Sequence, residues 1–175
     1  MEKIDHVVVP GTFDPVTNGH LDVIKRTKRL FGKVTVAVAS SRDKNGVGTT
    51  FSLEERVEML QKSLGEAGIE GVSVEPMSGL LVEFCHNHGA GGVVKGLRAM
   101  TDFEYELQQA DLNAHLAPDI ESIFVMSSPA YGYVSSSIVR EIASMGADVS
   151  LLVPPCVDRA LKALHNFRFS WLWTP

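Results

Sequence analysis

His6-Val7-Val8-Val9-Pro10-Gly11-Thr12-Phe13-Asp14-Pro15-Val16-Thr17-Asn18-Gly19-His20 is the stretch that decides the fold. His6 to Pro10 is a short apolar strand closed by Pro-Gly. A glycine directly after a strand lets the backbone turn and approach a ligand closely. Thr17 or Asn18 then caps a helix. His20 falls in its first turn, where free N–H groups and the helix dipole favour an anion. The stretch holds neither Gly-Lys-Ser/Thr nor G-x-G-x-x-G, so it is not a Walker loop or a dinucleotide fingerprint. Strand, glycine turn and capped helix point to phosphate binding. Read alone, a histidine in a first helical turn is equally at home in a structural role.

Outward from this stretch, apolar runs alternate with helical patterns. Leu21, Ile24, Leu30 and Phe31 follow helical spacing, with Lys25, Arg26, Lys28 and Arg29 on the other side. Val34 to Ala39 is a β-branched run of the kind found in buried strands. Ser52-Leu53-Glu54-Glu55 has capping-box spacing and opens a helix to about Leu64. Val72 to Pro76, Gly92 to Lys95 and Ser122 to Met126 are further strands, and Leu80 to His88, Asp102 to Leu116 and Ser136 to Met145 further helices. This alternation predicts an α/β fold: a doubly wound, five-stranded parallel sheet with helices on both faces. In such sheets the active crevice lies beyond the carboxyl ends of the strands. The segments after the first, second, fourth and fifth strands are where function is expected.

Composition bounds the rest. The chain has 175 residues, 45% hydrophobic and 21% charged, the profile of one globular domain. Sixteen Lys+Arg against 21 Asp+Glu leave a net charge of −5. Proteins that coat nucleic acid or anionic membranes carry a basic excess instead, so neither partner is expected. Phosphate must then be met by a few local cations. Cys85 and Cys156 are the only cysteines and make no disulfide framework. The N-terminus lacks a secretory core, and no apolar run approaches the ~20 residues of a membrane span. A reduced, cytoplasmic protein is expected. Ser40 to Thr50, with Asn45-Gly46 and Gly48, is expected to be a mobile loop. Residues 165–175 form a tail beyond the main domain, 1–164. In it Phe167, Phe169, Trp171 and Trp173 alternate at period two, as a frayed end or as an edge strand meeting a partner.

Thr17-x-Gly19-His20 resembles the hallmark of the nucleotidyltransferase superfamily defined by a His/Thr-x-Gly-His segment. Three further segments narrow the likeness: Lys95-Gly96-Leu97-Arg98-Ala99, Asp102-Phe103-Glu104-Tyr105-Glu106 and Tyr131-Gly132-Tyr133-Val134-Ser135-Ser136-Ser137. In order and spacing these are similar to the bacterial phosphopantetheine adenylyltransferases, and the likeness runs to about Leu164. It implies transfer of AMP from ATP to 4′-phosphopantetheine, a step in coenzyme A synthesis, on a Rossmann-like sheet in a homohexamer.

The resemblance implies the following roles. His20 stabilises the transition state at the α-phosphate. Thr12 and Phe13 hold phosphate oxygens, Thr12 toward both ligands. Lys44 and Lys95 meet the substrate phosphate side, and Gly96, Leu97 and Arg98 the ATP phosphates. Glu106 contacts ATP at the ribose. Tyr131, Gly132, Tyr133, Val134, Ser135, Ser136 and Ser137 take adenine and phosphates. Leu81, beside Leu80, lies along the pantetheine arm. Many members carry Arg at the place of Lys95, and lysine keeps the charge without the bidentate fork.

The residues themselves leave plainer readings open. Lysines and arginines ending strands are often solvated charges, and serines before a helix are often caps. The dipole alone accounts for acidic residues such as Asp102 and Glu104 in a first turn. A carboxylate acid/base pair is not needed, because an ionised phosphate nucleophile has no proton to lose. Cys85-His86-Asn87-His88 offers three potential ligands on one helix end and no fourth, so no protein-bound metal is expected. Mg²⁺ held by ATP phosphates is the expected cofactor. Two other functions stay on the table: a cytidylyltransferase for a small phosphorylated alcohol, and a nucleotide-binding protein without catalysis.

Overall fold

The computed structural model describes residues 3–40, 48–98 and 100–170. Its centre is a five-stranded, all-parallel sheet. The strands are β1 (His6–Gly11), β2 (Lys33–Ala39), β3 (Val72–Met77), β4 (Gly92–Leu97) and β5 (Glu121–Met126). Their order is β3-β2-β1-β4-β5, so the chain winds outward from β1 in both directions.

Six helices cover the sheet: α1 (Asn18–Leu30), α2 (Leu53–Glu66), α3 (Leu81–His88), α4 (Met100–Leu116), α5 (Ser136–Ser144) and α6 (Pro155–Ser170). The valine runs explain themselves once both faces are covered. Val7, Val9, Val34, Val36, Val38 and Val94 point into one core with α1, α2, α5 and α6. Val8, Ala37 and Val93 point into the other, against α3. A strand buried on both faces needs apolar residues at every position, not at alternate ones.

The predicted order of elements holds, with informative differences. Helix α1 begins at Asn18 with Thr17 as its cap, one of the two caps expected. Leu30 is exposed, and Thr27 is buried in its stead, its hydroxyl donating to the Val23 carbonyl at 2.8 Å. Ser52 does build the expected capping box with Glu55. Helix α6 is an addition: no helix is expected beyond Met145, and the period-two spacing of the tail aromatics is strand-like. The backbone is helical through Ser170, so Phe167 and Phe169 do not lie on a strand. Trp171 and Trp173 lie outside the described residues, as do positions 41–47 of the Ser40–Thr50 loop. No helix among the described residues is long and apolar enough to cross a membrane.

Glycines set the closest approaches around β1 and β4. A Cβ on Gly96 would stand 2.9 Å from Cγ2 of Val23, so the glycine lets α1 lie against β4. A Cβ on Gly11 would stand 2.9 Å from two ring atoms of Phe13. The Phe13 ring is buried and has little space to retreat into. Gly11→Ala should therefore cost about 1–3 kcal/mol in urea unfolding, the usual penalty of overpacking.

Candidate active site

The strand order reverses between β1 and β4, and their carboxyl ends open a crevice there of about 470 Å³. That is where open α/β sheets bind ligands. Thr12, Phe13 and His20 line it from the β1 side. Lys95, Gly96 and Arg98 line it from β4, and Glu106 from α4. Val134, Ser135, Ser136 and Ser137 close it at the start of α5. Elements far apart in sequence thus bring most of the expected site residues to one place.

The position of His20 follows from its helix. Thr17 is the N-cap of α1, and His20 is the third residue of the helix. The Thr17 backbone N–H donates to His20 Nδ1 at 3.0 Å, and the Thr17 hydroxyl lies 3.1 Å from the same nitrogen. The His20 N–H in turn donates to the Thr17 hydroxyl oxygen at 3.4 Å. This is a capping box with histidine in the place usually held by Glu or Gln. A ring nitrogen that accepts from a backbone N–H carries no proton, so the neutral ring is the Nε2–H tautomer. The Phe13 ring meets the imidazole edge to face, with centroids 5.0 Å apart. Burial first, and then the Arg98 charge, lower the His20 pKa to about 4. At neutral pH His20 is therefore an uncharged N–H donor, and positive charge in the crevice comes from Lys95 and Arg98.

The cations are already engaged by protein groups. Lys95 Nζ lies 3.2 Å from Glu106 Oε2, a close ionic approach whose angle falls short of a hydrogen bond. Arg98 donates to the Val134 carbonyl at 3.0 Å, joining β4 to the turn before α5. In the serine run, Ser135 caps α5 by accepting from the Ile138 N–H at 3.1 Å. Ser136 donates to the Pro15 carbonyl at 2.8 Å and ties α5 to the loop after β1. The plain capping reading of Ser135 holds beside its place on the crevice wall.

Other expected residues stand apart from the crevice lining. Leu97 is buried in the core. Tyr131 packs beside Gly19, Gly132 follows it, and Tyr133 is 67% exposed. Leu81 packs with Ala39 against the α3 core cluster. Lys44 lies outside the described residues. The structure adds Ser127 to the lining, which no motif marks, and Tyr105, which the Asp102–Glu106 segment contains without a role being expected of it.

The Cys-His-Asn-His run disperses. Cys85 is buried, and burial raises its thiol pKa to about 11. His86 pairs with Asp119 at 3.0 Å, and His88 with Glu75 at 2.8 Å. Among the described residues no group of three His, Cys, Asp or Glu side chains could hold a metal ion.

Comparison with known proteins adds independent findings. The cytidylyltransferase-like family model matches residues 8–142. Phosphopantetheine adenylyltransferase of Moorella thermoacetica is 48% identical over 91% of this chain and 97% of its own length. That of Nitrosomonas eutropha is 50% identical over 91% of this chain and 94% of its own length. Among solved structures, a putative nicotinate-nucleotide adenylyltransferase from Vibrio parahaemolyticus superposes with a TM-score of 0.65 at 14% identity, over 89% of this chain and 90% of that one. A bifunctional NMN adenylyltransferase/ADP ribose pyrophosphatase from Francisella tularensis superposes with a TM-score of 0.67 at 17% identity, over 99% of this chain and 58% of that one. The solved structures share the fold.

The histidine assignments give a pH test. With its folded pKa near 4, below the ordinary 6.5, His20 contributes stability that is present above pH 6.5 and lost as pH falls through 4. His88 has the opposite sign. Its hydrogen bond to the Phe84 carbonyl, and then Glu75, raise its pKa, so its contribution is present below pH 6.5 and fades as pH rises through the folded value. Ring NMR titration should find His20 near 4 and His88 above 6.5.

With sequence relatives matched over nearly their whole length and most of the expected residues on the lining of the β1/β4 crevice, the chain belongs to the phosphopantetheine adenylyltransferases of the cytidylyltransferase-like family.

Proposed function

We propose that the β1/β4 crevice transfers the AMP group of ATP to 4′-phosphopantetheine, giving dephospho-coenzyme A and pyrophosphate. The observation that carries this reading is the His20 tautomer. Its Nδ1 is held by the Thr17 N–H, which leaves Nε2–H for a phosphate in a crevice also lined by Lys95, Arg98 and the start of α5. The named sequence relatives favour adenylyl over cytidylyl transfer, and catalysis over mere nucleotide binding.

In this reading a phosphate oxygen of 4′-phosphopantetheine attacks the α-phosphorus of ATP in line. The new P–O bond forms as the bond from the α-phosphorus to the bridging oxygen breaks, and pyrophosphate leaves with that electron pair. The nucleophile is already ionised, so no general base is required. Catalysis is then positioning and charge stabilisation. His20 donates Nε2–H to the α-phosphoryl oxygens as their charge develops. Arg98 and Lys95 offset the negative field of the two ligands, joined by Lys44 from the Ser40–Thr50 segment. Phosphate arriving at Lys95 competes with Glu106, which is thereby released toward the ribose. Thr12, Phe13 and the α5 start supply donors to phosphate oxygens.

Mg²⁺ enters as part of the ATP substrate. The crevice offers hydroxyls and one carboxylate already close to Lys95, a donor set suited to a metal held mainly by phosphate oxygens and water. The ion lowers the charge on the β- and γ-phosphates.

The same reading places the enzyme in the cytoplasm, without nucleic-acid or membrane partners, in keeping with its net charge of −5 and its buried cysteine thiols. It also makes the protein a homohexamer. Helix α4 supports that: Leu112 and Leu116, four residues apart and so neighbours on one side of the helix, are both exposed, an apolar strip suited to a second copy of the chain.

Incubation with Mg²⁺, each nucleoside triphosphate and 4′-phosphopantetheine should release pyrophosphate with ATP only. Release with CTP and a polyol phosphate, or binding without turnover, would overturn the reading. His20→Ala should fold normally and lose about two to three orders of magnitude in kcat, the usual cost of one transition-state donor. Near-normal turnover in that variant would remove His20 from the mechanism.

A further inference from the structure

Phe13 is a non-glycine residue held in the left-handed region, at φ 50°. That conformation costs an ordinary residue roughly 1 kcal/mol or more and persists only where neighbours over-determine it. The residues on both sides of Phe13 are anchored. On one side the Thr12 carbonyl accepts from Arg56 at 2.6 Å. The same guanidinium donates to the Ala39 carbonyl at 2.8 Å and the Phe51 carbonyl at 3.2 Å. On the other side the Asp14 carboxylate accepts from the Thr50 N–H at 2.8 Å and the Phe51 N–H at 3.0 Å. Arg140 of α5 donates to the Asp14 carbonyl and lies 3.5 Å from its carboxylate.

Arg56 is the more unusual of the two arginines. It is only 2% exposed, and it donates to backbone carbonyls from three different segments. Burial pulls its pKa below the ordinary arginine value, opposed by the field of Asp14 and Glu54. Enclosing a guanidinium costs free energy that an apolar side chain of similar size would not. What arginine offers instead is a planar fork reaching several acceptors at once, which lysine cannot copy. The fork serves the backbone directly before Phe13 and the carbonyls of Ala39 and Phe51. The ring so placed is the one that meets His20 edge to face.

We propose that Arg56 and Arg140 are positioning residues of the transfer reaction, clamping the Phe13 turn from its two sides so that the ring fixes and shields the His20 imidazole. The proposal rests on the function assigned above for its kinetic consequence. Neither arginine is asked to touch a ligand. Each acts through the backbone, Arg56 through Thr12 and Arg140 through Asp14.

Full-length Arg56→Lys and Arg140→Gln test it, with activity and a ring titration read separately. In Arg56→Lys, kcat per folded site should fall about 10- to 100-fold, the cost of a misplacement near 1 Å, while KM for ATP changes less than about threefold. The His20 titration midpoint should rise from about 4 toward 6.5 as water reaches the ring. Arg140→Gln, at a less buried position, should show the same pattern with a smaller amplitude and serves should Arg56→Lys not fold. A folded variant of either kind with wild-type kcat and an unmoved His20 midpoint overturns the clamp. So does a loss of activity that tracks only the folded fraction. A wild-type protein inactive on ATP and 4′-phosphopantetheine would instead sink the assigned function, and the ring titration would still decide the clamp.

Discussion

The hydrogen bond from the Thr17 backbone N–H to His20 Nδ1 sets the chemistry of the whole crevice. It uses one of the orphan donors that every helix start possesses. In doing so it fixes ring orientation and tautomer together. Glu at the same position would cap the helix equally well, but would present no N–H to a phosphate. In the proposed reaction the structural contact at Nδ1 is also what leaves Nε2–H for a phosphate, so the two readings of a histidine in a first helical turn are compatible here.

A second constraint is the burial of charge around β1. Asp14, Arg56 and Arg140 converge behind the crevice and bond mostly to backbone groups. Removing one member leaves a buried polar group unpaired, which costs more than the pair gains. Such a network is poor at adding stability and good at holding one geometry. It joins the loop after β1, Ala39 at the end of β2, Thr50 and Phe51 before α2, and helix α5, segments that a parallel sheet delivers to one edge but does not itself lock together.

Sequence made some of this legible and hid the rest for physical reasons. The β1 valines and the Gly11 turn announce a doubly buried central strand, because no other use of so continuous an apolar run fits so short an element. The capping boxes at Thr17 and Ser52 are local, and local patterns survive reading one residue at a time. Arg56 was invisible: it stands in a helix that looks like a charged surface face, Glu54-Glu55-Arg56, and only the tertiary packing turns it inward. Ser127 reaches the crevice from the end of β5, where no spacing rule points, and Tyr105 stands inside the Asp102–Glu106 segment, but only the fold shows that it lines the crevice. Helix α6 was obscured by the period-two aromatics of the tail, a strand-like spacing that the helical backbone through Ser170 overrides.

The electrostatic division of labour follows from these parts. A chain of net charge −5 that brings two phosphate-bearing ligands together cannot rely on its overall field. Fixed cations such as Arg98 attract substrate and transition state nearly alike, and uniform attraction lowers KM without raising kcat. A neutral imidazole behaves differently. Its pull on the substrate is weak, because it carries no net charge. Its N–H bond strengthens as the phosphoryl oxygens accumulate charge in the transition state. In the proposed transfer a neutral His20 places its contribution where the barrier is, and Arg98, whose field adds to burial in depressing the His20 pKa, is also one of the cations that gather the ligands. The proposed binding and rate-enhancing roles thus fall to different side chains of one crevice, with the Phe13 ring edge to face against the imidazole.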